Sequence, residues 1–120
     1  SRTRGMLTLD RLESGAVTVL RLARDIDDEG IQVLRDGIIG CLEDRRWNVV
    51  LNLTDVKFIS YMGVGVMVER LRPLRARGGD LKLVGVNLYT ERLFRMVGVQ
   101  SVFETFKSEA QAIQGYREAA

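Results

Sequence analysis

The sequence predicts a single α/β domain, a mixed and mostly parallel β-sheet packed with about four helices in the order ββαβαβαβα. Three observations carry that reading. Strand-like and helix-like periodicities alternate along most of the chain, the pattern of strands joined by crossover helices. The run Val49-Val50-Leu51 is apolar without alternation, as in a strand covered on both faces. Gly78-Gly79 and Gly98 fall where helical periodicity stops, and a glycine there can take the conformation a helix stop requires.

Met6 to Glu13 and Ala16 to Leu22 alternate in polarity at period two around a Ser14-Gly15 turn signal, which predicts an opening hairpin. From about Asp28 to Asp44, the residues Ile31, Leu34, Ile38, Cys41 and Leu42 share one helical face, with Asp27 or Asp28 supplying the N-cap oxygen. Trp47 to Leu53 is the doubly covered strand, and a second helix is expected from about Met62 to Arg77. Its buried arc carries Val64, Met67, Val68, Leu71 and Leu74, which leaves Met62, Val66 and Pro73 facing solvent with Glu69. Pro73 has no N–H for the Glu69 carbonyl, so that side of the helix is expected to be wet. Asp80 to Val86 alternates Leu81, Leu83 and Gly85 against Lys82, Val84 and Val86, and Asn87 then caps a short helix through about Val97. Val102 to Phe106 is a β-branched and aromatic strand, and Ser108-Glu-Ala-Gln111 spells a capping box for a terminal helix. Right-handed crossovers make the later strands parallel and leave the first hairpin antiparallel. Residues 1–5 are expected to be a loose, disordered terminus and residues 6–120 the domain.

A chain of 120 residues, 46% hydrophobic and 28% charged, is long enough to bury one core. Eighteen basic against sixteen acidic residues leave a net charge of +2, too little to mark a nucleic-acid surface. Cys41 is the only cysteine and there is no histidine, so neither an intramolecular disulfide nor the usual Cys/His zinc site can be built. No run approaches the roughly 18 apolar residues of a spanning helix, so direct membrane insertion is not expected. A reducing cytoplasm fits best. No cofactor is expected, and no nucleophile with its base is recognisable, so the chain does not read as an enzyme.

The stretch from Val49 to Met67 runs from an apolar strand through a short polar loop straight into a glycine-bearing helix start, and the candidate site lies at that junction. Gly63 and Gly65 serve either close packing of the helix on the sheet or approach of an anion to the helix N-terminus. No third glycine follows at Val68 and no Lys-Ser/Thr pair follows at all, which argues against a dinucleotide fingerprint or a P-loop. Asp27 and Asp55 read either as helix cap and turn former or as partner contacts, and Ser60 either as a cap or as a phosphate acceptor. Cys41 reads as core, with no basic neighbour on its helical face to lower its pKa. Tyr61, Met62 and Val66 make a small apolar patch.

The same stretch closely resembles the central motif of the STAS domains of bacterial anti-sigma factor antagonists. In those domains a strand ending in Leu-Asn/Asp-Leu is followed by a phenylalanine, an Asp-Ser-Ser or Ser-Ser-Ala type triplet, and Gly-Leu-Gly. Here Leu51-Asn-Leu-Thr-Asp-Val-Lys-Phe58 leads to Ser60-Tyr61-Met62. Asp25-Ile-Asp27, Gly78-Gly-Asp-Leu-Lys-Leu-Val84 and Glu91-Arg-Leu-Phe-Arg-Met-Val-Gly98 are similar to further family segments, so the resemblance runs from about Leu7 to Ile113. It implies a STAS fold and a non-catalytic interaction module that binds an anti-sigma factor of the serine-kinase type, or a related kinase-like protein, and so releases a sigma factor. It also implies that the regulatory phosphoserine position is Tyr61, with Ser60 the one shifted acceptor, and that the partner surface includes Asp27, Asp55, Ser60, Tyr61, Met62, Gly63 and Val66. Two alternatives stay open: a kinase-independent STAS scaffold or accessory subunit of a transport assembly, and a small anion or nucleotide sensor at the helix start from Ser60 to Gly65. A homodimer also stays open.

Overall fold

The computed structural model describes residues 6–119, and the terminus expected at residues 1–5 lies outside them. Its strands are β1 (Thr8–Ser14), β2 (Val17–Ala23), β3 (Asn48–Asp55), β4 (Asp80–Val84) and β5 (Thr105–Phe106); its helices are α1 (Ile31–Glu43), α2 (Tyr61–Ala76), α3 (Leu88–Val97) and α4 (Glu109–Ala119). The order along the chain is the predicted one. One five-stranded sheet follows chain order, β1-β2-β3-β4-β5. The β1–β2 hairpin is antiparallel and the three later pairings are parallel, as right-handed crossovers require.

Both sheet faces are covered. Leu20, Leu51, Leu53, Leu81 and Leu83 point into a core shared with α1, α2 and α3, whereas Val17, Val19, Val50 and Val84 pack against Ala112 and Tyr116 of α4. This double cover corrects one expectation: in β2 the residues Val17, Thr18, Val19 and Leu20 are buried in succession rather than alternately. Lys82, on the face opposite Leu81 and Leu83 as the alternation predicts, is buried beneath α4. Its ammonium pairs with Glu104 and sits 4.7 Å above the Tyr116 ring, the partnering that a buried charge requires. The Tyr116 hydroxyl is shared between the carbonyls of Val49 and Asp80 at 2.6 and 2.7 Å. At the start of α4, Glu109 accepts two hydrogen bonds from Arg21 and one from Asn52. Arg21 first, and Asn52 behind it, hold that carboxyl below its ordinary range against the opposing effect of burial.

Element boundaries shift for local reasons. α1 begins at Ile31, later than expected, because Asp27 Oδ1 accepts from the Gly30 N–H at 2.9 Å and closes a separate turn ahead of the helix. The same helix ends in a Schellman motif, with Arg46 N–H bonded to the Cys41 carbonyl and Arg45 N–H to that of Leu42. Arg45 occupies the left-handed position at φ 57°, where a side chain costs roughly 1–2 kcal/mol. Arg45→Gly is therefore expected to raise stability by about 0.5–1 kcal/mol, since part of that gain is offset by glycine's freedom in the unfolded chain. A chemical-denaturation midpoint that falls would remove this account. β4 stops at Val84, short of Val86, because Gly85 turns left-handed at φ 75°. β5 is only two residues long because Val102 closes a turn onto Val99 and Phe103 buries against Phe94.

On α2 the second flank is covered as well as the first. Val64, Met67, Leu71 and Leu74 are buried as expected, but so is Val66, and Pro73 is half-buried rather than open to solvent. The expectation counted only the sheet as cover. α1 packs along α2, where Glu69 and Arg35 pair at 3.6 Å, and Val66 belongs to the core that the two helices share. Cys41 is core, as predicted, although Arg11 and Arg46 do come close; burial outweighs them and pushes its thiol pKa up.

Candidate functional site

Two chain segments build the site, and backbone hydrogen bonds join them. Ile26 N–H donates to the Phe58 carbonyl at 2.8 Å, Ser60 N–H donates to the Ile26 carbonyl at 2.8 Å, and the pair Ile26–Ile59 forms an isolated parallel bridge. Arg24 N–H adds a bond to the Asp55 carbonyl at 3.1 Å. The loop carrying Asp25 and Asp27 is thereby fixed to the loop that leads into α2.

Ser60 opens α2 as its N-cap. Its extended backbone sits at φ −78° and ψ 163°, and its Oγ accepts from the Gly63 N–H at 3.1 Å. Gly63 is buried, and a Cβ there would lie 2.9 Å from both Ile26 Cγ2 and Ile59 Cγ1. Close packing therefore accounts for Gly63. A Cβ at Gly65 would meet nothing within 4 Å. Tyr61 and Met62 stand outward at 61% exposure each. Asp55 is exposed at the end of β3 and Asp27 is half-buried in its turn. Of the seven predicted site residues, Asp27, Ser60, Tyr61, Met62 and Gly63 gather around the start of α2 and Asp55 flanks them, whereas Val66 is withdrawn into the core.

The structure adds residues that linear reading did not select. Asn87 caps α3 by accepting from the Thr90 N–H at 2.8 Å, as expected, but its amide also reaches the carbonyl of Lys57 at 3.2 Å and ties α3 to the site loop. Phe58 and Tyr89 then form a tilted aromatic pair, with centroids 5.7 Å apart and planes 39° from parallel. A groove of about 660 Å³ opens between the α2 start and α3, lined by Phe58, Ser60, Tyr61, Met62, Tyr89 and Met96, with Asp28 and Arg92 among its walls. A smaller cavity of about 320 Å³ adjoins it, formed by Asp27, Asp28, Glu29, Phe58 and Ser60. The signal for α3 was present in the sequence: Leu88, Tyr89 and Met96 extend the apolar residues of the helix beyond the arc of buried Leu93 and Phe94, with Tyr89 and Met96 one turn from Leu93. No helix among the described residues is long and apolar enough to cross a membrane.

Comparison with known proteins gives consistent relatives. An anti-sigma F factor antagonist from Paenibacillus polymyxa is 24% identical over 98 residues, covering 81% of this chain and 84% of its own. The anti-sigma-B factor antagonist of Bacillus subtilis is 29% identical over 91 residues, covering 75% and 83% respectively. Among solved structures, an anti-sigma factor antagonist from Mycobacterium paratuberculosis superposes with a TM-score of 0.82 at 20% identity, over 92% of this chain and 94% of that one. The anti-sigma factor antagonist SpoIIAA in its unphosphorylated form gives a TM-score of 0.80 at 20% identity, over 92% and 97%. These two structures share the fold. The sequence model of the STAS domain matches residues 8–112, nearly the whole of the sheet and its helices, and the chain therefore belongs to the STAS domain family.

Proposed function

We propose that this chain is a non-catalytic anti-sigma factor antagonist that docks a kinase-type anti-sigma factor in the cytoplasm and so frees a sigma factor, without being switched by serine phosphorylation. The observation that carries the reading is Tyr61, exposed at the first turn of α2 in the position that resembles the family's regulatory serine. A phosphoserine there would act by placing charge in a contact that must lose its water. Tyr61 offers no aliphatic hydroxyl, Met62 removes the next candidate, and the Ser60 oxygen is already engaged in capping Gly63. The names of the curated relatives support the partner class. Asp27, Asp55, Ser60, Tyr61 and Met62 form the docking surface, Gly63 sets its shape from beneath, and Val66, being buried, is not part of it.

Tyr61 then serves as a rigid aromatic anchor. Truncating such a residue typically costs about 2 kcal/mol or more of binding. Titrating Tyr61→Ala and Met62→Ala against the anti-sigma factor, with circular dichroism as the check on folding, is expected to show that loss at Tyr61. Tighter binding on truncation would instead make the ring an obstacle. Incubation with ATP and the cognate kinase, followed by mapping with mass spectrometry, is expected to leave Ser60 and Tyr61 unmodified; stoichiometric phosphate on Ser60 would mean a shifted switch. The tyrosine also favours a second reading, a STAS scaffold that no kinase controls. Co-purification from the native cell separates the two by the partner recovered. The anion-sensor reading loses one support, since Gly63 is filled by Ile26 and Ile59 rather than open to a ligand.

A further inference from the structure

Five of the large apolar side chains exposed among the described residues, Tyr61, Met62, Leu88, Tyr89 and Met96, belong to the α2 start and α3, and only Met6 and Leu12 lie elsewhere. Four of the five line the one groove, and Leu88 precedes Tyr89 on its α3 side. Clustering of this kind marks an interaction surface, whereas single exposed apolar residues do not. We propose that the groove receives an amphipathic helix of the partner, with an apolar stripe flanked by a basic side chain at one end and an acidic one at the other. The partner's identity as an anti-sigma factor rests on the reading above; the new element is the chemistry of the part that enters.

The floor of the groove is apolar, made by Ile59, Leu93 and Phe58, with Tyr89 packed at a tilt against Phe58. Charged side chains flank it. Asp28 lies just ahead of α1, and Asp27 and Glu29 line the adjoining cavity with it, so that flank attracts a cation. Arg92 stands on α3, one turn from both Leu88 and Met96, and attracts an anion. A volume near 660 Å³ falls within the roughly 300–1,000 Å³ of ligand-sized pockets, but the exposed apolar surface extends past the groove to Leu88. Leu88 is 73% exposed and outside the lining, and a small ligand seated on Ile59 and Leu93 would leave it in water. A helix presenting side chains at i, i+3, i+4 and i+7 covers floor and walls together. Tyr, Met and Arg on the rim are residue types enriched at such contacts, and the groove continues into the Ser60 to Met62 surface without a break.

The test needs no native partner. The probe is a hydrocarbon-stapled helical peptide with a leucine stripe, a lysine at one end and a glutamate at the other, titrated into isotope-labelled protein and followed by amide NMR. Saturable shifts are expected at Tyr61, Met62, Leu88, Tyr89 and Met96. Met96→Asp, at an exposed position that leaves the fold intact, is expected to weaken binding at least about tenfold. Arg92→Glu should weaken it as well, and a peptide with lysine at both ends should recover the loss. Shifts elsewhere, no saturation, or indifference to both substitutions would overturn the assignment. A concentration-dependent dimer abolished by Met96→Asp would hand the groove to a second copy of the chain, and saturation by a small aromatic carboxylate alone would hand it to a metabolite. Failure of the two readings is distinguishable: anti-sigma binding lost in Tyr61→Ala but kept in Met96→Asp sinks the helix groove only, and peptide binding without anti-sigma binding sinks only the partner's identity.

Discussion

Gly85→Ala is expected to destabilise the domain by about 2–5 kcal/mol, the sum of two separate costs. The residue sits at φ 75°, where an L side chain costs roughly 1–2 kcal/mol. Its Cβ would also lie 2.7 Å from Thr54 Cα and 2.8 Å from Thr54 N, backbone atoms of β3 that cannot rotate away. Overpacking a rigid site adds roughly 1–3 kcal/mol. Against the 5–15 kcal/mol of a typical domain the total is a large share. Gly15 supplies the control, because it is also left-handed, at φ 58°, but a Cβ there meets nothing within 4 Å. Gly15→Ala should therefore carry the conformational cost alone. Equal denaturation midpoints for the two variants would show that the Thr54 contact contributes nothing.

Gly63→Val is expected to cost about 1–3 kcal/mol relative to Gly65→Val. The two glycines are two residues apart on one helix, so the gain in helix propensity is common to both and cancels in the comparison. They differ in what the new side chain meets. At Gly63 it collides with Ile26 and Ile59, each at most 1% exposed, whereas at Gly65 it enters open space. Ile26 and Ile59 are also the bridge between the two site loops, so Gly63→Val should weaken partner binding without touching the partner. Denaturant titration of both variants separates the packing role from an anion-approach role: a Gly63→Val midpoint matching that of Gly65→Val would remove the former.

What the sequence made legible was whatever depends on near neighbours in the chain. Ser60, Asn87 and Ser108 cap their helices as read, because a cap is a bond across three residues. Gly78 stops α2 in the left-handed conformation for the same local reason. The α/β order followed from period changes alone. The misplaced residues are those whose surroundings come from elsewhere in the chain. Val66 and Pro73 were assigned to water because which flanks of α2 are covered is set by packing from distant elements and not by the period of the helix itself. The groove escaped notice for a related reason. Phe58 and Tyr89 are 31 residues apart, and it is the Asn87 amide bonding back to Lys57 that brings their rings together.

The paired bonds between Ile26 and the Phe58–Ser60 segment bear on how fast and how tightly a partner can associate. Ordering a free loop residue on binding costs roughly 1–2 kcal/mol of backbone entropy, a cost that subtracts directly from affinity. Here the acidic loop, the lead into α2 and the helix cap are already held in one arrangement before any encounter. Complex formation then requires little rearrangement on this side of the contact, and the association rate should be limited by diffusion and orientation rather than by a slow folding step. In the proposed complex, a conformational step slow enough to limit association would then belong to the partner, since this surface has little disorder left to lose.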